Sequence, residues 1–374
     1  MVYARHFRLL LLLNIFTNAS YAQTVQLSML NIGDAAPPLQ VREWIKGEPV
    51  QEFEKGRVYV VEFWATWCAP CKAAMPHLST LASKYKDSIT VLGIDIMELK
   101  TTSFKRVKAV VDSLGDRMNY RVAAEDSNFM ETGWLEASGE RNKGIPSSFV
   151  VNAEGRLAWI GHPKDLDIVL PKIVNNTWDI KEALAKRNSD KHLAALDDSV
   201  NYELMNYAGN AYKHDFIGKP DSALLAIDEI IRIEPTLKYA PFVAFNTFSA
   251  LLKTNPHKAC EYGKVVMVTA TYEAPACNAI IDAIEWNDGK LNLDPEIYQL
   301  GAQAYQIQIN QIAYPEIVNM HKLYHKMAAW YWLAADKPRA IEAEQKAIES
   351  LNGKKDFSKI DMAAYQSQLE RYKK

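Results

Sequence analysis

Two cysteines separated by two residues, in Cys68-Ala69-Pro70-Cys71, are the side chains best placed to do chemistry. They follow Val58-Tyr59-Val60-Val61-Glu62-Phe63-Trp64, a run apolar on both faces apart from Glu62, and they open a stretch of helical spacing from Ala69 to Tyr85. A sulfur at a helix start meets unpaired backbone N–H groups and the positive end of the helix dipole, which favours thiolate over thiol. Cys68 is expected there with its sulfur exposed. Cys71, one turn on, is expected to be more shielded yet near enough to bond it. Pro70 fits the first turn, where its missing N–H costs nothing. The asymmetry suits disulfide exchange, in which the Cys68 thiolate attacks a disulfide and Cys71 resolves the mixed disulfide. Cys71 must first lose its proton. Glu62, the only carboxyl group in the apolar run, is the candidate acceptor, because loss of water raises a carboxyl pKa toward neutrality. A solvent-facing strand edge is the alternative place for Glu62.

Other chemistries suit these residues less well. A zinc site normally takes four ligands, often two close cysteine pairs. The two remaining cysteines, Cys260 and Cys277, are far away in sequence and not closely spaced, so no metal site is expected. A purely structural Cys68–Cys71 bond would close too small a loop to restrict the unfolded chain. Trp67 is expected beside the thiols as part of a docking surface, and Trp64 in the core. His77 is read as helix surface and His162 as a turn residue. Cys260 and Cys277 fall near the starts of two consecutive helices. If these are antiparallel, the starts lie about 18 Å apart, beyond the roughly 7 Å a disulfide allows between Cα atoms. Free buried thiols are therefore expected.

The elements that must position the cysteine pair alternate between strand and helix over residues 23–178. Ile89 to Ile94 is a second buried strand. Thr101 to Leu114 is an amphipathic helix, and Asn128 to Leu135 a short one. Ser147 to Asn152 and Leu157 to Ile160 form a hairpin about Ala153-Glu154-Gly155-Arg156, and Asp165 to Val174 closes the unit with a helix. Pro76 is expected to interrupt the helix after Cys71. This order implies an α/β unit with a mixed central sheet flanked by helices. From 179 to 374 strand-like runs nearly vanish and an all-helical domain follows. Its similar starts at Lys219-Pro220-Asp221, Asn255-Pro256-His257 and Lys337-Pro338-Arg339 hint at helix-pair repeats resembling tetratricopeptide units, with an irregular bundle as the alternative.

Residues 31–175 resemble the thioredoxin superfamily, and most closely its exported thiol–disulfide oxidoreductases of the TlpA/ResA kind. The resemblance rests on Ile32-Gly33-Asp34-Ala35-Ala36-Pro37, on Trp67-Cys68-Ala69-Pro70-Cys71 with Pro76, and on Gly144-Ile145-Pro146-Ser147-Ser148-Phe149. It implies a thioredoxin fold, a cis bond before Pro146 facing the cysteines, and an Ile145 backbone that receives an extended substrate peptide. It also implies a disulfide reductase that acts on protein or peptide disulfides and is recharged by a membrane-protein electron donor. No cofactor is implied beyond the redox-active Cys68–Cys71 disulfide. Glu62 stands where thioredoxin has a buried aspartate. Gly93 lies near the place of the lysine that accompanies it, and Ala74 replaces a helix glutamate of ResA-like proteins. Residues 97–144 match the family's extra strand-and-helix insertion.

The whole chain agrees with an exported globular protein. It has 374 residues, 48% of them hydrophobic, and a formal net charge of −2. That is enough for a sizeable core and too little charge to draw the chain to nucleic acid. Arg5 and Arg8, the apolar run from Leu9 to Phe16, and small residues up to Ala22 read as a cleaved signal peptide over residues 1–22, with an uncleaved anchor or a buried N-terminal helix as the alternative. This implies a periplasmic or otherwise exported location. Two further readings stay open: a partner-binding adaptor on a thioredoxin scaffold, and a thiol peroxidase.

Overall fold

The computed structural model describes residues 30–125, 128–208, 220–269, 276–351 and 359–374. The signal peptide expected over residues 1–22 lies outside the described residues. The described chain begins with a six-stranded sheet: β1 (Val41–Lys46), β2 (Val58–Trp64), β3 (Ile89–Asp95), β4 (Arg121–Glu125), β5 (Ser147–Val151) and β6 (Leu157–Gly161). Their order across the sheet is β1-β4-β3-β2-β5-β6. The β2–β3 and β3–β4 pairs are parallel, and the β1–β4, β2–β5 and β5–β6 pairs antiparallel. Strands β2 and β3 are buried along their full length, as residues apolar on both faces require.

Alternation along β2 divides two cores. Val58, Val60 and Trp64 face a layer built from α1 (Ala69–Lys84), α2 (Phe104–Leu114) and α3 (Leu166–Val174), which also holds Cys68 and Cys71. Tyr59, Val61 and Phe63 face the opposite layer with Trp134 and Phe149. There Phe63, Trp134 and Phe149 meet edge to face, with centroids 5.4–6.0 Å apart. Glu62, two residues from both Val60 and Trp64, falls on the face with the cysteines.

Helix α1 runs unbroken from Ala69 to Lys84 with Pro76 inside it, which corrects the expected interruption. Proline withdraws the N–H that would reach the Lys72 carbonyl. That oxygen instead accepts from Arg117 Nη2 at 3.3 Å, so the lost bond is replaced. Strands β1 and β4 carry weak sequence signals. β1 is an edge strand with charged residues and two register shifts, and β4 has only five residues, two of them alanine. The short helix expected from Asn128 to Leu135 is present over residues 129–138, with a wider π-helical stretch at Glu131–Glu136 as its middle.

Contacts divide the chain into two compact units between Asn188 and Ser189. That point lies inside α4 (Ile180–Ala208), ten residues beyond the change of sequence pattern at 178. Trp178 Nε1 donates to the Ala158 carbonyl at 2.8 Å, and Ile180, Ala183 and Leu184 join the core opposite the cysteines. Asn188 accepts from Asn31 Nδ2 at 2.8 Å. The first turns of α4 are thus part of the α/β unit.

The second unit is helical: the rest of α4, then α5 (Pro220–Ile233), α6 (Pro241–Thr254), α7 (Pro256–Val268), α8 (Cys277–Asn287), α9 (Pro295–Asn310), α10 (Met320–Leu333), α11 (Lys337–Glu349) and α12 (Lys359–Lys373). Gly301 lets α9 approach α10 closely, since a Cβ there would sit 2.5 Å from the Trp330 ring. Cys260 and Cys277 are buried and free, as expected, and burial pushes both thiols up to about 11. Asp197 is completely buried and accepts from the N–H groups of Phe242 and Val243 at 2.9 and 3.1 Å. It caps α6, whose own N-cap residue is Ala240, with no side chain to do so. Asp197→Ala is expected to cost this unit about 1–3 kcal/mol. A lowered urea midpoint for helix loss, with the Cys68–Cys71 pair still reducible, is the expected readout.

Candidate active site

The buried β2 strand ends at Trp64, and the chain turns directly into α1. The Cys68 N–H bonds to the Ala65 carbonyl at 3.1 Å, and the Cys68 carbonyl receives the Lys72 N–H at 3.2 Å. Cys68 is the N-cap of α1, with extended dihedrals. Its sulfur accepts the Cys71 N–H at 3.2 Å, where a cap side chain is normally an oxygen. Cys68 and Cys71 are joined as a disulfide, with Cα atoms 5.3 Å apart.

The expectation of an exposed Cys68 sulfur is not met. Cys68 and Cys71 are 2% and 1% accessible, so exposure does not distinguish them in the disulfide form. The Ile145 backbone closes over the pair, its carbonyl oxygen 3.6 Å from Cys68 Sγ. What distinguishes the two sulfurs is electrostatic: Cys68 Sγ takes the N–H of the first helical turn.

The Ile145–Pro146 bond is cis, as the resemblance implies, and it places Ile145 against the cysteines just before β5. Trp67 is 48% exposed beside the pair, and its indole N–H donates to the Met97 carbonyl at 2.9 Å. Trp64 is fully buried, as expected. Glu98 accepts from both the backbone and the hydroxyl of Thr66, the latter at 2.8 Å, and Lys72 Nζ caps the Thr66 carbonyl at 3.0 Å. The turn carrying Trp67 is therefore held from the Met97–Glu98 segment. Nothing in the spacing of that segment signals this role.

Glu62 lies mid-sheet, not at an edge. It pairs with Gly93 on one side and Ser148 on the other and is 2% accessible. Burial pushes its carboxyl up to about 8, while the hydrogen bond from the Ser148 hydroxyl acts in the opposite sense. Ser148 was legible only as part of the Pro146-Ser147-Ser148 segment, and its reach to Glu62 follows from antiparallel β2–β5 pairing. Asp95, on the same face at the end of β3, is pushed up to about 9, first by burial and then by Glu98. His77 pairs with Asp167 at 3.3 Å. His162 caps a turn through the Lys164 N–H, and burial lowers it to about 4. Neither histidine is brought to the cysteines by any contact seen here.

The chain matches known proteins over this region. The family model described as Thioredoxin matches residues 47–110. Protein FixW of Rhizobium leguminosarum is 33% identical over 167 residues, 43% of this chain and 75% of that protein. The thiol:disulfide interchange protein HelX of Rhodobacter capsulatus is 29% identical over 123 residues, covering 33% of this chain and 62% of HelX. The thiol-disulfide oxidoreductase ResA of Oceanobacillus iheyensis is 38% identical over 80 residues, covering 20% of this chain and 42% of ResA. Among solved structures, the thioredoxin domain of a thiol-disulfide oxidoreductase from Bacteroides vulgatus is 23% identical, with TM-score 0.33, over 39% of this chain and 99% of that one. With a relative spanned over three quarters of its length, the chain belongs to the thioredoxin superfamily, among the TlpA/ResA-like thiol–disulfide oxidoreductases.

Proposed function

We propose that this chain is a periplasmic reductase of protein disulfides, with Cys68 as nucleophile, Cys71 as resolving thiol and Glu62 as proton acceptor. One observation carries the assignment of the two sulfurs: Cys68 Sγ, at the cap of α1, accepts the Cys71 N–H. In the dithiol form the same donor and the helix dipole favour a Cys68 thiolate. That thiolate attacks a substrate disulfide, forming a Cys68–substrate bond and releasing one substrate thiolate. Cys71 gives its proton to Glu62 and attacks Cys68, which frees the second substrate thiolate and closes the Cys68–Cys71 bond. Two electrons pass to the substrate, and a membrane-protein dithiol returns them. The relatives' names support exchange of this kind, HelX being a thiol:disulfide interchange protein and ResA a thiol-disulfide oxidoreductase.

The exposed Trp67 ring and the Ile145 backbone flank the sulfurs and are the proposed docking surface for an extended substrate segment. The similar proline-bearing starts of α5, α7 and α11 are what supports reading the second unit as helix-pair repeats.

Two outcomes are expected. Cys71→Ser accumulates substrates as mixed disulfides on Cys68, whereas Cys68→Ser accumulates none; equal trapping by both variants, seen on non-reducing gels, contradicts the assignment. Glu62 is pushed from 4.5 to about 8 by burial, so its contribution to stability is full below about pH 4.5 and is lost as pH rises through about 8. Glu62→Gln lacks this loss. Its melting temperature relative to the natural chain is therefore expected to increase from pH 5 to pH 9, and a constant difference would contradict a buried, protonated Glu62.

A further inference from the structure

Three polar atoms gathered about Gly93 on the sheet face beneath the redox helix have no hydrogen-bond partner, Glu62 Oε1, Trp64 Nε1 and the Tyr120 hydroxyl, and Asp95 Oδ1 at the end of β3 is a further such atom outside this group. All three side chains are more than nine-tenths buried, at 2%, 0% and 8% accessibility. Trp64 and Tyr120 belong to the same core as Cys68 and Cys71, and Glu62 shares their face by alternation along β2.

Gly93 explains how they come together. It is the β3 partner of Glu62, and a Cβ built on it would lie 2.8 Å from Tyr120 Cε2 and 3.6 Å from Trp64 Nε1. The space a side chain at 93 would fill is therefore taken by the Tyr120 ring and the indole N–H, beside the residue that faces Glu62 across the strands. The charge of Glu62 adds to burial in raising the Tyr120 phenol, so the two groups sense each other. The set contains two donors, an O–H and an N–H, and one carboxyl acceptor. A phenol with no partner in a dry core is worse placed than a phenyl ring of the same shape.

We propose that Tyr120, together with Trp64, builds a hydrated hydrogen-bonding site around the free oxygen of Glu62, and that Tyr120 is a positioning residue that sets the proton affinity of that carboxyl. None of the three atoms makes a direct hydrogen bond to another, so the proposed site requires a bridging water, for which two donors and one acceptor supply the partners a buried water needs. Donors aimed at Glu62 favour its carboxylate and oppose the effect of burial. The Ser148 hydroxyl from β5 also bonds Glu62, Cys71 from α1 lies in the core on the same face, and Asp95 is two pairs further along β3, with Glu98 and Glu125 acting on it. This inference rests on Glu62 being the proton acceptor of the exchange.

The test is the titration of Glu62 in the full oxidised chain, followed by carboxyl carbon NMR on glutamate-labelled protein and assigned with Glu62→Gln. Tyr120→Phe keeps the ring and removes the hydroxyl. The expected result is an upward move of the Glu62 midpoint by up to about one pH unit, tenfold in proton affinity, with a lowered melting temperature. Trp64→Phe, which removes the indole N–H, is expected to move it the same way and gives the answer if the tyrosine variant folds poorly. An unchanged midpoint with an equal or higher melting temperature in Tyr120→Phe means a dry, idle hydroxyl and overturns the inference while leaving Glu62 its role. A Glu62 midpoint in the ordinary carboxyl range in the unsubstituted chain overturns both.

Discussion

The structure of the α/β unit converges on one interaction, the capping of a helix by a sulfur. A cap is ordinarily an oxygen satisfying a backbone donor; here Cys68 Sγ does it and receives the Cys71 N–H. Everything around that bond keeps it in place. The fully buried β2 strand fixes where α1 starts, and the Ala65 carbonyl ties down the Cys68 N–H. Pro76 leaves the helix continuous because Arg117 takes up the carbonyl it frees. From the other side, the Ile145 carbonyl and the cis bond to Pro146 cover the pair.

The same arrangement buries a carboxyl group where a neutral residue would be easier to accommodate. Isolation of a full charge in such a core is costly, and a carboxyl responds by holding its proton. Burial prevails over the Ser148 hydrogen bond at Glu62, leaving it half-protonated at about pH 8. This suits an acid–base partner for a thiol, whose ordinary pKa is about 8.5. A carboxyl at its ordinary value would be too weak a base to draw a proton from Cys71, so the role proposed for Glu62 depends on the same burial that is costly to the fold.

Much of this site was legible in the residues. The Cys-Ala-Pro-Cys pair after an apolar run and the single acid in that run are local signals, whereas the cis bond before Pro146 and the place of Ile145 beside Cys68 were implied by the resemblance. The burial of Cys68 was not legible in its neighbours along the chain, because groups distant in sequence, Ile145 77 residues away among them, pack over it. Ser148, Tyr120 and Glu98 were missed for a related reason: each acts through strand pairing or loop packing, which one sequence does not display. Strands β1 and β4 escaped notice because charged residues or alanines dilute their pattern. The unit boundary lies in α4 because its first turns pack on the sheet, although their sequence already reads as helical.

The central claim is that the two sulfurs differ in acidity because only one caps a helix. Alkylation of the reduced chain with iodoacetamide across a pH series, read separately for each cysteine by peptide mass, measures this most directly. Cys68 should react with a midpoint well below the ordinary thiol value of about 8.5, and Cys71 should react slowly with a higher one. Two cysteines with the same midpoint near the ordinary value would contradict the account.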